Sequence, residues 1–212
     1  ISSYQDAATL ASWLPHAQFV VVKASQGIRI RDSSHTAHTA TARAAGKLLG
    51  HYHYAEPARN GPTVEADYFT AAAAARPGEV LVLDFEPYGP AGAGYTCPAA
   101  GWPAWILSFA ARVEDTTGAL PWLYANHDVL QQLLTAASTS QGADLHRLPL
   151  WVADYAPPVV TLHGWASWTA HQWIDQPVDQ DYFAGGTATW ARLAIPTTPA
   201  IGDPMTDPTA AL

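Results

Sequence analysis

The amino-acid sequence predicts an α/β barrel in which about five strand–helix units are followed by three further strands. Three observations point there. Apolar, β-branched runs of strand length alternate with segments of helical spacing through the first two thirds of the 212 residues, the pattern of a parallel sheet covered on both faces. The strand runs number about eight, which suits a closed barrel with functional groups at the C-terminal ends of its strands. One run, Val80 to Glu86, ends in two carboxylates, where that architecture carries its chemistry. An open doubly wound sheet is the alternative, but no G-x-G-x-x-G follows a first strand.

In chain order, Ile1 to Gln5 reads as the end of a strand, and Ala7 to Leu14 has helical spacing that stops at Pro15. Phe19 to Ser25 is a β-branched strand closed by a Gly27 turn. Its Lys23 needs a carboxylate partner and reads either as a paired structural ion or as part of a site. His35 to Ala45 is a helix with Ser33 or Ser34 as N-cap and Gly46 beyond its end. Leu48 to Tyr54 is a strand, Thr63 to Arg76 an Ala-rich helix closed by Pro77-Gly78, and Val80 to Glu86 the acidic strand. Tyr88 to Gly101 is a Gly/Pro-rich loop suited to a site's rim. Trp102 to Thr117 is a helix with Pro103 in its first turn and Gly118 after its end. Leu120 to Ala125 is a strand, and Asp128 caps a helix running to about Leu134. Leu150 to Tyr155, Thr169 to Ile174 and Val178 to Phe183 read as strands with no helix between them. Residues 1–194 thus form the expected barrel, and 195–212 a Pro/Thr-rich linker or tail.

Composition narrows the function. With 49% hydrophobic and 13% charged residues the chain is globular, and its length supports one domain with a real core. A formal net charge of −8 argues against nucleic acid, whose phosphates require clustered Lys and Arg. No apolar run reaches the ~20 residues of a membrane span. The chain opens at Ile1 with neither a basic n-region nor an apolar h-region. The single cysteine, Cys97, sits in no recognisable nucleophile motif. Nine Trp and nine Tyr supply flat amphipathic rings that suit sugar faces as well as cores.

Alternation along the acidic strand sets Val82, Asp84 and Glu86 on one face and Leu81, Leu83 and Phe85 on the other. The backbones of Asp84 and Glu86 then lie about 6.6 Å apart. Burial and mutual repulsion both raise a carboxyl pKa, which is how a general acid is made near neutral pH. Tyr52, Tyr54, Tyr124, Trp151, Tyr155 and Trp173 fall near the expected rim, where each serves either the core or a sugar platform. A metal-dependent hydrolase is a rival, since His51 and His53 with His127, Asp154 and Asp179 supply ligand types. There is, however, no i, i+4 His pair with Glu and no Cys cluster.

Five segments resemble, in order and spacing, glycoside hydrolase family 25, the Chalaropsis-type lysozymes. They are Ser2-Ser3-Tyr4-Gln5, Val22-Lys23-Ala24-Ser25-Gln26-Gly27, Gly50-His51-Tyr52-His53-Tyr54, the Asp-x-Glu of Leu83-Asp84-Phe85-Glu86, and Gln172-Trp173 followed by Val178-Asp179-Gln180-Asp181. The resemblance covers roughly residues 1 to 190. It implies a flattened TIM-like barrel and hydrolysis of the β-1,4 bond between N-acetylmuramic acid and N-acetylglucosamine in bacterial peptidoglycan. Glu86 would be the general acid, Asp84 its electrostatic neighbour and Asp179 a further active-site carboxylate. Tyr52, Tyr54, Tyr124, Trp151, Tyr155, Gln172 and Trp173 would contact substrate, and His53, which matches the family's third strand, would either hydrogen-bond substrate or a carboxylate or serve as a satisfied structural histidine, with no cofactor and no metal. Two departures stand out. Family members usually carry an Asp immediately before the residue matching Ile1, and Gln26 stands where an acidic residue is common. The first keeps a non-catalytic glycan-binding domain open as an alternative. An arabinan or galactan substrate is compatible with the same scaffold. The expected partner is the wall glycan, engaged by a monomer joined through its tail to a C-terminal wall-binding module. A secreted lysin and a phage endolysin both fit, either acting outside the cell.

Overall fold

The computed structural model describes residues 1–86, 97–155 and 161–197. Its centre is one eight-stranded sheet curled into a half-barrel: β1 (Phe19–Gln26), β2 (Ile30–Arg31), β3 (Leu48–Tyr54), β4 (Val80–Asp84), β5 (Trp122–Asn126), β6 (Leu150–Ala153), β7 (Ala170–Ile174) and β8 (Gln180–Phe183). The strand order is β2-β1-β3-β4-β5-β6-β7-β8, parallel from β1 through β7 and antiparallel at both ends. The helices are α1 (Ala7–Trp13), α2 (His35–Ala44), α3 (Pro62–Ala73), α4 (Trp102–Thr117), α5 (His127–Ala136), α6 (Thr139–Leu145) and α7 (Thr187–Leu193).

Alternation along each strand separates two apolar layers. On β4, Leu81 and Leu83, with Phe85 just beyond, face outward into a layer shared with Phe69 of α3 and Ile106, Phe109 and Val113 of α4. Val80 and Val82 face inward with Val21, Trp122, Trp151 and Trp190. Trp190 of α7 lies in this inner layer beside Trp122, at 5.4 Å between ring centroids, and donates from Nε1 to Gly78 O. The inner layer is therefore strongly aromatic.

Most strands and helices match the sequence reading to within a few residues, and the differences have local causes. Ile1 to Gln5 forms a turn rather than a strand end, closed by Gln5 N–H donating to Ser2 O, although Lys23 N–H still donates to Ile1 O beside β1. The eighth strand is instead β2, a two-residue arm turned back on β1 after Gly27. The α5 cap is Asn126, whose side chain accepts from Val129 N–H, two residues earlier than Asp128. Helix α6 is an addition to the expected elements, and its sequence signal is the capping box between Ser138 and Gln141. At the start of the expected tail, Ile195 N–H donates to Glu79 O and Gly78 N–H donates to Ile195 O, which ties that end of the segment to the sheet. The Tyr88–Gly101 loop through residue 96 and the tail from residue 198 lie outside the described residues.

Candidate active site

A groove of about 930 Å³ opens at the C-terminal ends of the strands. Its walls carry Lys23 and Gln26 from β1, Tyr52 and Tyr54 from β3, Asp84 and Glu86 from the end of β4, and Tyr124 from β5. Trp151, Tyr155, Gln172, Trp173, Asp179 and Asp181 complete them from β6 to β8. Ten of the eleven residues expected at the site therefore line one groove.

His53 is the exception. It lies on the outer face of β3, fully buried, and stacks on Phe109 at 5.5 Å. Its Nε2–H donates to Glu65 Oε2 at 2.8 Å, which leaves Nδ1 to accept from the Ser25 hydroxyl at 2.9 Å. Glu65 is completed by Asn60 Nδ2 at 2.8 Å and by Glu56 N–H. The parity of β3 explains the placement: Tyr52 and Tyr54 point inward, so His51 and His53 must point outward. His51 is likewise engaged, with Nε2 2.8 Å from Glu79 and Nδ1 2.9 Å from His35 Nε2. The ligands needed for a metal centre thus do not converge. His127 pairs with Asp154 at 2.8 Å elsewhere, and among the described residues no group of three His, Cys, Asp or Glu side chains is placed to hold a metal ion.

The strand ends at Asp84, one pleat earlier than expected, but Phe85 N–H still donates to Tyr124 O and Phe85 stays buried. The chain therefore keeps its alternation long enough to bring Glu86 into the groove. The Tyr54 hydroxyl donates to Glu86 O at 2.9 Å and secures that turn. Asp84 is 9% exposed, and its Oδ1 has no hydrogen-bond partner among the described residues. Burial, then the neighbouring Glu86, raise its carboxyl well above the usual range, against the pull of Lys23. Glu86 is raised by burial and by Asp179, again opposed by Lys23. Two such carboxyls titrate as a pair that retains a proton toward neutral pH. The deeper Asp84 is shifted further, while Glu86 is the member that reaches the open groove. Asp179 enters from the β7–β8 turn; it is exposed at the rim, yet desolvation between the groove walls lifts its carboxyl too.

The fine structure of the walls comes from contacts between strands. Asp181 shares the inward face of β8 with Phe183 and accepts from Trp151 Nε1 at 2.9 Å; burial raises it to about 7. The alternation of Gln180 to Phe183 carries that signal. The Tyr124 and Tyr155 hydroxyls both donate to Gln172 Oε1, which fixes the amide and leaves its NH₂ free to donate. A register shift between Lys23 and Ser25 turns Ser25 outward toward His53 and Gln26 inward toward the groove. Lys23 Nζ then donates to Gln26 Oε1 at 3.0 Å, and Gln26 Nε2 donates to Glu56 Oε1 at 3.0 Å. The same ammonium lies over the Tyr54 ring at 5.2 Å. Lys23 is therefore a site residue, the cation facing the carboxylate pair. Cys97 has no such setting: its sulfur accepts from Trp102 Nε1, and burial raises its thiol.

An aromatic-walled groove with carboxyls of raised pKa on facing walls is the arrangement that glycoside hydrolysis calls for. Residues 1–182 match the family described as glycosyl hydrolases family 25, and the chain belongs to that family. It is 33% identical over 134 residues to an N,O-diacetylmuramidase of a Chalaropsis species, a match covering 59% of this chain and 64% of that protein. It is 28% identical over 190 residues to Lysozyme M1 of Streptomyces globisporus, covering 83% of this chain and 63% of that protein. The chain thus spans less than two thirds of the length of these two relatives. Among solved structures, a family 25 lysozyme of Aspergillus fumigatus superposes with a TM-score of 0.79 at 28% identity, covering 91% of this chain and 95% of that one. That likeness agrees with the expected distorted TIM-like architecture.

Proposed function

We propose that the chain is a glycosidase that hydrolyses the β-1,4 bond between N-acetylmuramic acid and N-acetylglucosamine in bacterial peptidoglycan. The observation that carries this reading is the Asp84–Glu86 pair, a proton-retaining couple of carboxyls at the end of β4 inside an aromatic groove. In this reading Glu86 passes its proton to the leaving glycosidic oxygen. Asp84, closed off beneath it, is the second carboxyl of the pair, and Asp179, which helps to raise Glu86, faces the developing positive charge from the opposite wall. Tyr52, Tyr54, Tyr124, Trp151, Tyr155 and Trp173 offer ring faces to the sugars, and Gln172 offers its amide hydrogens. Muramidase activity in the named relatives supports the choice of substrate.

The same reading takes residues 1–194 as the catalytic barrel and 195–212 as a tail leading toward a wall-binding module. With a net charge of −8 the protein gains no long-range attraction to an anionic wall, so retention there rests on groove contacts or on such a module. A monomer acting on the wall from outside the cell suits either a secreted lysin or a phage endolysin.

Purified peptidoglycan digested by the protein is expected to release disaccharide-peptides ending in reducing muramic acid, identified by mass spectrometry. Glu86→Gln is expected to lower the rate by about 100-fold or more, the scale of a lost general acid. Cleavage within the peptide stems, or full activity in the variant, overturns the assignment. Binding without any fragments identifies a glycan-binding domain instead.

A further inference from the structure

The hairpin formed by β7 and β8 carries a row of rings on its outer face. His171 and Tyr182 are paired across the two strands. Trp168 lies 5.8 Å from His171, His171 lies 6.5 Å from Tyr182, and Tyr182 lies 5.8 Å from Trp173 with the last two planes only 23° apart. An irregularity in the pairing between Gln172 and Ile174 makes Trp173 the extra residue of β7, which brings its ring over Tyr182. Buried His171 is pinned by its Nε2–H donating to Asp154 O at 2.7 Å, so the row has a rigid base.

Tyr182 is 58% exposed. Its hydroxyl has no partner among the described residues, in contrast to Tyr155, which is also exposed but bonds Gln172. A stacked Trp–Tyr pair held in water on a rigid support contributes little to the core, which already has Trp122 and Trp190 fully buried. Trp173 and Tyr182 also border the groove that holds Glu86 and Asp179, so the row continues one wall of that groove outward. Asp175 and Asp179, in the turn joining the two strands, repel the lactyl carboxylate of a muramic acid and leave an uncharged glucosamine unit of the strand favoured there. A pyranose ring is uncharged and has an apolar C–H face that stacks on flat rings.

We propose that Tyr182 and Trp173 form a distal sugar subsite on the β7–β8 hairpin, occupied by a pyranose of the glycan strand whose scissile bond lies in the groove. The inference rests on the reading of the groove as a glycan site and adds a preference for long strands. Tyr182 takes the ring, Trp173 backs it, and the free hydroxyl bonds a sugar oxygen.

The test uses Glu86→Gln protein, so that binding is read without turnover, and uncross-linked muramic acid–glucosamine strands sorted by length. Affinity is expected to rise from tetrasaccharide to long strands by on the order of tenfold, the scale of one stacked ring. Adding Tyr182→Leu, which keeps bulk but removes the flat face, is expected to abolish that gain, whereas Tyr182→Phe retains most of it. In the active protein the same Leu substitution is expected to raise KM on long strands with little change in kcat. An unaltered length dependence in Tyr182→Leu overturns the subsite. So does Tyr182-dependent self-association in sedimentation, which would make the ring row a dimer contact. Failure to bind glycan of any length sinks the groove reading itself and the subsite with it, a result distinct from length-independent binding.

Discussion

Replacing Glu79 by Gln tests whether the buried network behind β3 holds the barrel together. Glu79 is 7% exposed and receives Arg43 at 2.7 and 2.8 Å, His51 Nε2 at 2.8 Å and Arg76 N–H at 2.7 Å. Burial alone would raise its carboxyl; the donors from His51 and Arg43 overcome that and hold it at about 2 instead of 4.5. At about 1.4 kcal/mol per pH unit, this differential is worth about 3 kcal/mol, a large share of a typical domain's 5–15 kcal/mol. Because the folded-state pKa is depressed, that contribution is complete above pH 4.5 and is lost as pH falls through about 2. His35, lowered to about 4 by burial and then by His51 and Arg43, adds a second loss on acidification, beginning below its ordinary 6.5. Denaturant midpoints measured at pH 7, 4 and 2 are expected to place Glu79→Gln about 3 kcal/mol below the parent at pH 7, with the two converging at pH 2. Equal midpoints at pH 7, or a gap that persists at pH 2, would refute the reasoning.

Gln26→Glu sets a carboxylate where Lys23 Nζ and Glu56 Oε1 each lie 3.0 Å from the present amide. The Lys23 charge is then drawn away from Asp84 and Glu86, both of which it lowers, so the pH–activity profile is expected to move to higher pH; an unmoved profile shows that Lys23 does not tune the pair. Gly27→Ala asks a left-handed residue at φ 49° to carry a Cβ 2.6 Å from Glu56 Oε2. A cost of about 1–3 kcal/mol is expected, read as a melting temperature lower by several degrees, and an unchanged melt would mean that Glu56 moves aside freely.

How much of this was legible in the sequence differs between strands, turns and networks. Apolar alternation located β3 and β4 closely and put Asp84 and Glu86 in one groove, because burial of one face fixes parity strongly. The same rule, applied to Gly50-His51-Tyr52-His53-Tyr54, already separates the tyrosines from the histidines; resemblance to a family segment obscured that separation and drew His53 into the site. Gln26 shows the opposite limit. Its inward direction depends on an irregularity in β1 that no periodicity announces, since Phe19 to Gln26 looks continuous. Asp181 was hidden because its partner, Trp151, lies on a different strand, and only folding brings the indole to the carboxylate. Helix α7 follows Gly185-Gly186 and is too short for its pattern to stand out.

The acid pair lies before the middle of the chain, whereas Asp179 and Asp181 belong to its last hairpin. During synthesis β4 therefore emerges long before the wall that faces it. Until β7 and β8 are laid against the sheet, Glu86 lacks the Asp179 charge and both acids lie nearer to water, where carboxyls give up their protons at ordinary pH. On the proposed reading, the partly made chain would then lack a working proton donor, and competence would arrive only with β7 and β8, as a consequence of topology rather than of a separate inhibitor.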